Sequence, residues 1–447
     1  MTASGDDESG EFSSDVVFED VLPYSKVPFM YWGIISKHNF SSLEKIPRKR
    51  WDPLVLSPIT LDEFGHKVVL KKSYGHFSYI SPVRPARQQP FSSVSPLQVD
   101  KTRSVETVEI FKPIVEGRHI YSEVEPDKKI GDAHAIVVCN STEQIDEPFS
   151  VEPKVYKNLH GDAMTLINKF PAMVRCIDEE LVDYIEKNMP LHAKMARGVN
   201  LLTIPAQFYR RLEDMPTSVL ADMLQSLITG ISSVKEAANA RGINLIPTSP
   251  FFNIGKHTAG HLQRIHAQAY MDLNEDGHGS RMESILKAFE KMKADKNCNL
   301  CNSTHDNGKR LVYQNDSWIF FTSGSPVRNY HLRFTTHEHI EDFTGLTRQH
   351  LEDLASALKV IFTVLNELKV NTNRNIIINT KPFGHTKTYF HVFGDLLPHE
   401  DVGGAELGDD FRVVRISPLD VARELRLQIR ETFGAQVSTP DSTNSSA

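Results

Sequence analysis

The sequence predicts an α+β fold built from two similar units in tandem. Three observations carry that expectation. Extended apolar runs alternate with two long helical stripes, and the stripes begin 130 residues apart, at 217 and 347. Each stripe is followed by a short strand and then by a histidine-bearing segment, with His266 in one case and His391 in the other. One order of elements repeated at this spacing fits two units better than one large domain.

Taken in order, residues 1–15 and 436–447 lack apolar periodicity and read as disordered. From Val16 to about Ile130, short β-type runs such as Lys67–Lys71 and Phe77–Ile80 are separated by Pro and Ser, which predicts strands and long loops. Val199–Ile204 is an extended run. Pro216 and Thr217 then open a helix whose face is Val219, Leu220, Met223, Leu227, Ile231 and Val234, and Gly242 ends it. A strand over Pro250–Gly255 follows, then a His-rich stretch running through Ile265–Met271. In the second unit Tyr330–Phe334 reads as a strand, and Leu351, Leu354, Leu358, Ile361, Leu365 and Leu368 mark one helix face. Asn375–Asn379 and Tyr389–Phe393 are two more strands. Ser417 as N-cap and Pro418 at the first helical position start a last helix through Val421, Leu425 and Ile429. The plan is an N-terminal extension (1–45), a first unit (46–290), a second unit (291–435) and a disordered tail (436–447).

The chain has 447 residues, 40% hydrophobic and 24% charged, ordinary for a soluble globular protein and long enough for a substantial core. Its formal net charge of −7 offers no global field for nucleic acid, and it does not exclude a local basic pocket for nucleotide phosphates. No run of 18 apolar residues exists to cross a membrane. The opening MTASGDDESGEFSSD is acidic and polar, unlike a secretory signal or a mitochondrial presequence. The expectation is a cytoplasmic protein without membrane or nucleic-acid partners. Four cysteines make no disulfide framework; they read as reduced thiols, two of them paired as Cys298-Asn-Leu-Cys301.

The densest chemistry is Asn253-Ile-Gly-Lys-His-Thr-Ala-Gly260, running into His261-Leu-Gln-Arg-Ile-His266-Ala-Gln268. A His and a Gln two apart on a strand share a face, which alone describes many half-buried polar pairs. Gly255 and Gly260 permit close backbone approach to a ligand, and Lys256, His257, His261 and Arg264 gather cationic groups beside that turn. The Cys298-x-x-Cys301 spacing suits tetrahedral zinc, because both thiolates can meet one ion across a tight turn.

This segment resembles the Asn-x-Gly…His-Pro-His-x-Gln signature of galactose-1-phosphate uridylyltransferases and sugar-nucleotide phosphorylases, a branch of the histidine-triad superfamily. Further elements match in order over roughly residues 50–430. They are Arg50-Trp-Asp-Pro53, Ser81-Pro-Val-Arg84-Pro-Ala-Arg87, Asn168-Lys-Phe-Pro-Ala172, His339-Ile-Glu-Asp-Phe-Thr-Gly-Leu346, and Gly404-Ala-Glu-Leu-Gly408 leading into Ser417-Pro-Leu-Asp-Val-Ala-Arg423. The resemblance implies two tandem histidine-triad-like units and a double-displacement nucleotidyl transfer. His266 falls at the nucleophile position, and Gln268 at that of an amide that bonds a phosphoryl oxygen. Arg84 and Arg87 match arginines on the nucleotide phosphates, and Asn168 and Asn253 match nucleotide-side positions.

The departures matter as much. The relatives' first-unit zinc ligands correspond to Ile136, Cys139, Phe208 and Arg264, so no first-unit metal is expected. Arg264 either supplies positive charge beside the nucleophile, contacting phosphate from the face it would share with His266 on a regular strand, or points to solvent. Ile265 replaces the family's Pro, and His261 stands where Ser commonly contacts phosphate. In the second unit, His339 matches a third zinc ligand in phosphorylase-like relatives. His391 and His385 are candidates for the fourth, with His305 as an outsider. One structural Zn2+ per chain is expected, in the second unit. The function implied is transfer of a nucleoside monophosphate from a nucleoside diphosphate sugar to a sugar phosphate or phosphate. The other reading is a zinc-stabilised nucleotide-binding protein without turnover. A homodimer is implied by resemblance alone.

Overall fold

The computed structural model describes residues 58–61, 77–79, 137–140, 163–168, 193–195, 198–240, 242–258, 264–273, 280–295, 298–302, 308–404, 406 and 412–434. In chain order the strands are β1 (Pro58–Leu61), β2 (Phe77–Tyr79), β3 (Val137–Asn140), β4 (Ala163–Ile167), β5 (Ala193–Met195), β6 (Gly198–Pro205), β7 (Thr248–Ile254) and β8 (Ala267–Asp272). They continue with β9 (Leu311–Gln314), β10 (Trp318–Thr322), β11 (Leu332–Thr336), β12 (Arg374–Asn379) and β13 (Phe393–Pro398). The α-helices are α1 (Thr217–Asn239), α2 (Ser280–Asp295), α3 (Asn299–Asn302), α4 (Arg348–Glu367) and α5 (Pro418–Phe433).

Ten strands form one antiparallel sheet in the order β3-β4-β6-β8-β7-β12-β13-β11-β10-β9, and β2-β1-β5 form a small separate one. The large sheet is a palindrome about the β7–β12 seam. β8 mirrors β13, β6 mirrors β11, β4 mirrors β10 and β3 mirrors β9. This is an α+β architecture of two similar units in tandem, joined edge to edge into a continuous sheet. α1 packs behind the first half and α4 behind the second, with α5 against α4, β9 and β10.

Local chemistry explains each helix. α1 follows Pro216 and ends ahead of Gly242, which takes φ +83°. α4 is capped by Thr347, whose side chain accepts from the His350 backbone N–H while the His350 ring accepts from Thr347 N–H. α5 is capped by Ser417 with Pro418 behind it. The stripes read from sequence are buried, Leu220, Met223, Leu227 and Ile231 on α1 and Leu351, Leu358, Ile361 and Leu365 on α4. Together with Val199, Leu201, Ile376 and Leu396 they make one core spanning both halves. Gly394 on β13 admits no side chain, because a Cβ there would lie within the Phe334 ring.

Two expected strands start later than the sequence pattern indicates. Tyr330 takes φ +56°, and β11 starts at Leu332. Residues 389–392 are not strand. Their backbone N–H groups at Tyr389 and Val392 donate to Phe289 O and Ile340 O, and sheet pairing begins at Phe393. The run Lys67–Lys71 lies outside the described residues. No helix among the described residues is long and apolar enough to cross a membrane.

Candidate functional site

Residues paired across a sheet point to the same face. On β8, Ala267, Ala269 and Met271 enter the core behind the sheet, so Gln268 and Tyr270 face forward. His266 and Arg264 lie in the irregular segment immediately before β8, not on a regular strand, which begins only at Ala267. That segment is tied back to a neighbouring one, since Ile265 N–H donates to Tyr209 O at 2.8 Å.

His266 is 4% exposed, and its Nδ1 sits 2.8 Å from the Arg264 carbonyl oxygen. A carbonyl can only accept, so Nδ1 carries the hydrogen and the ring's lone pair is on Nε2. Arg264 is buried, with Nη2 donating to Ala206 O at 3.0 Å and the guanidinium 5.8 Å from the Phe208 ring centre. Two of the residues that the sequence resemblance set against first-unit zinc ligands, Phe208 and Arg264, thus meet each other. Gln268 is buried and pairs with Leu202 on one side and Phe251 on the other.

Asn253 on β7 pairs with Asn375 on β12, and Asn375 Nδ2 donates to Asn253 Oδ1 at 2.7 Å across the seam. Ala267 pairs with Phe252, so the ladder ends one residue short of both His266 and Asn253. Gly255 takes φ +87°, and a Cβ there would collide with Asn373, whose Oδ1 accepts from His257 N–H at 3.2 Å. Its glycine identity is therefore explained within the fold. Asn168 closes β4 with its N–H on Asn200 O at 2.8 Å. Arg84, Arg87, His261, His305, Ile136 and the segment 50–53 lie outside the described residues.

The second half gathers Cys298, Cys301, His339 and His391 so that one ligand atom from each lies within 4.8 Å of all the others. Cys298 Sγ and Cys301 Sγ are 3.4 and 3.3 Å from His391 Nδ1, and Cys301 Sγ is 3.3 Å from His339 Nδ1. A tetrahedral zinc at ordinary bond lengths sets neighbouring sulfur and nitrogen ligands about 3.5 Å apart, so the donor set and its spacing fit that ion. The outer contacts fit as well. Thr336 Oγ1 donates to Glu338 O at 2.6 Å and accepts from His391 Nε2 at 2.9 Å, which leaves Nδ1 as the ligating lone pair. Burial, then the nearby His339, pushes the His391 imidazole down to about 4. Burial, then the neighbouring Cys298, pushes the Cys301 thiol up to about 12. His385 is outside this group of four, near Thr388 and Glu290.

A further cluster escaped the sequence reading. Asp395 on β13, fully buried, accepts from His331 Nε2 (2.9 Å) and Arg333 Nε (2.8 Å) on one oxygen, and from Arg281 Nη2 (2.7 Å) and Asn379 Nδ2 (3.2 Å) on the other. These donors hold its carboxyl well below the usual carboxylate range. The only trace in the sequence is His331-x-Arg333, a period-two pair on the face that Asp395 also takes.

The fold is shared with solved structures of a uridylyltransferase mutant (20% identity, 61% of this chain and 90% of that one, TM-score 0.53) and of a uridylyltransferase (20%, 61% and 87%, 0.51). It is shared too with an ADP-glucose phosphorylase from Arabidopsis thaliana with bound ADP-glucose (18%, 70% and 97%, 0.51). Residues 297–397 match a family described as scavenger mRNA decapping enzyme C-term binding. A sequence comparison with curated proteins found no match. The fold expected from the sequence resemblance, that of a divergent relative of these transferases and phosphorylases, is the fold the chain adopts.

Proposed function

We propose that the chain is a nucleotidyltransferase that moves a nucleoside monophosphate from a nucleoside diphosphate sugar to a sugar phosphate or to phosphate, through a covalent intermediate on His266. The observation that carries this reading is the His266 Nδ1 to Arg264 carbonyl contact, which sets the tautomer a nucleophilic imidazole needs. The kinship in fold with uridylyltransferases and an ADP-glucose phosphorylase supports the reaction class. Nε2 attacks the α-phosphorus, forming the N–P bond as the bond to the β-phosphate oxygen breaks and sugar 1-phosphate leaves. An oxygen of the acceptor phosphate then attacks the same phosphorus, and the imidazole departs with Nδ1–H still donating to the Arg264 carbonyl oxygen. The Gln268 amide donates to a phosphoryl oxygen as charge shifts. Asn253, with Asn168 and the arginines Arg84 and Arg87, serves the nucleotide side; Arg264 serves by fixing the segment that carries His266.

In the same reading Cys298, Cys301, His339 and His391 hold one zinc per chain. It closes the start of the second half onto its sheet and takes no part in the transfer. The test is incubation with nucleotide sugars labelled in the α-phosphate. An acid-labile, base-stable label should appear on the wild-type chain and be absent from His266→Ala, with transfer reduced at least about 10⁴-fold. Full transfer by that variant would sink the mechanism. Binding without any label in the wild-type chain would favour a nucleotide-binding protein instead.

A further inference from the structure

We propose that Arg281 and Arg333, locked in place by the buried Asp395 on the sheet face that carries Gln268, form a second anion subsite. It takes a carboxylate or phosphate at the far end of the sugar whose near end is handled at His266. The inference rests on the function proposed above.

The cluster has more positive charge than its own contacts consume. Asp395 is one carboxylate facing two guanidiniums, and four donors already saturate its two oxygens. His331 is neutral in this arrangement, because its Nε2–H donates to Asp395 while its Nδ1 accepts from Val327 N–H at 3.3 Å. Among the described residues one positive charge therefore remains. Each guanidinium spends a single N–H on Asp395, and the side chains of Arg281 and Arg333 are 53% and 28% exposed. Pinning α2 to the sheet requires one of these arginines. The second, with the surplus donors of both, is a fixed fork of the kind that binds carboxylate or phosphate in two-point fashion.

Position gives the cluster its partner. The register runs in one straight row, Gln268 to Phe251, Phe251 to Ile377, Ile377 to Asp395, and Asp395 to Arg333. All of these side chains take the same face. Three interstrand steps separate Gln268 from Asp395, about 14 Å, and the long arginine side chains shorten the gap. Between them lies a half-buried strip of Phe251, Ile377, Asn253 and Asn375. It offers an apolar floor for a sugar ring and amides for its hydroxyls. A donor with its α-phosphorus at His266 would point its sugar along this strip toward the arginines. An uncharged sugar would leave the surplus charge unmet; a uronic acid or a sugar with a second phosphate would meet it.

The test uses the full chain carrying His266→Ala, so that nothing turns over, and two ligand pairs in calorimetric titrations. One pair is UDP-glucose and UDP-glucuronate, repeated with an adenine or guanine nucleotide sugar if uracil is not accepted. The other is glucose 1-phosphate and glucose 1,6-bisphosphate. The expected result is that the anionic member of one pair binds at least about 10-fold tighter, as one charge-assisted contact provides. The pair that discriminates identifies the source, carboxylate on the donor or phosphate on the acceptor. Arg281→Met, at a half-exposed position, should bring that ratio below about 3-fold while changing the neutral partner's affinity less than about 2-fold. Arg333→Met should do likewise. Equal binding within both pairs, or an unchanged ratio in Arg281→Met, overturns the subsite and leaves the transferase reading standing. Failure of all four compounds and every nucleotide sugar to bind overturns that reading itself, and the subsite with it.

Discussion

The segment that enters β8 and the one that enters β13 occupy mirror positions in the sheet, and each leaves the ladder before its strand begins. Ahead of β8, residues 264–266 are held by Ile265 N–H on Tyr209 O and by the Arg264 guanidinium on Ala206 O and over Phe208. Ahead of β13, residues 389–392 are held by Val392 N–H on Ile340 O, and His391 joins Cys298, Cys301 and His339. A segment outside a ladder needs another partner for its backbone and a fixed point for its side chains. One half uses a cation built into the chain, and the other presents four ligand atoms at a spacing that fits an external one. A guanidinium stacked on a ring contributes of order 1 kcal/mol, whereas a structural zinc contributes several. With the proposed zinc bound, the half that carries His266 has the weaker pin.

The largest effect that sharpens this contrast is removal of the metal ligands. Cys298→Ser/Cys301→Ser should bind no zinc where the wild-type chain binds one, and should lose several kcal/mol of stability, up to about 10. Metal analysis and denaturant titration read both quantities, with hydrogen exchange locating the loss around 389–393 and α2 rather than around 264–272. Two zinc ions per wild-type chain, or zinc retained by the double variant, would break the comparison. Zinc uptake should also release a proton from Cys301, whose thiol stays protonated up to about 12 without a metal, and affinity should fall as pH falls.

Next in size is Asp395→Asn, which removes a buried charge from between His331, Arg333 and Arg281 and should cost about 3–5 kcal/mol. The same cluster sets an acid limit. His331 is held below its ordinary 6.5, chiefly by burial, so only the unfolded chain gains that proton as pH falls through 6.5, and stability declines. Asp395 is held below its ordinary 3.8, so a second decline begins near that pH and continues below it. Denaturant midpoints between pH 8 and pH 3 should fall less in a His331→Gln/Asp395→Asn variant than in the wild-type chain, by the share these two groups contribute.

Much of the fold was legible in the residues alone. The stripes at 217 and 347 became α1 and α4 because a 3.6-residue period sustained along the whole stripe suits a helix and not a strand. Cys298, Cys301 and His339 could be nominated because the Cys-x-x-Cys spacing is local and the resemblance supplied one distant partner; the fourth place stayed open between His391 and His385, and the fold brings His391 to it. The strand pattern misled at Tyr389–Phe393, where an unbroken run of aromatic and β-branched residues mimics a buried strand while the backbone bonds instead to Phe289 and Ile340. α2 went unread because its apolar positions Ile285, Leu286 and Phe289 sit among charged residues and face a small patch around Phe390 and Phe393. The Asp395 cluster was invisible for a different reason. Its members come from α2, β11 and the residue before it, β12 and β13, and only the tertiary fold brings them together.

The smallest predicted effect bears most directly on the weaker pin. Arg264→Met keeps the length and apolar body of the side chain but removes the cation over Phe208 and the donor to Ala206 O. Stability should fall by about 1–3 kcal/mol, the range of one charge-assisted hydrogen bond plus one cation–π contact. The kinetic signature separates positioning from phosphate contact. If Arg264 holds the segment on which His266 is mounted, the single-turnover rate should drop while nucleotide affinity stays within about 3-fold. A direct phosphate contact would instead weaken affinity by about 10- to 150-fold. Phe208→Leu gives the independent check, since it removes the ring and leaves the guanidinium free to meet a phosphate. It should slow turnover as Arg264→Met does, and a variant with unchanged rate would show that the stack is not what orients His266.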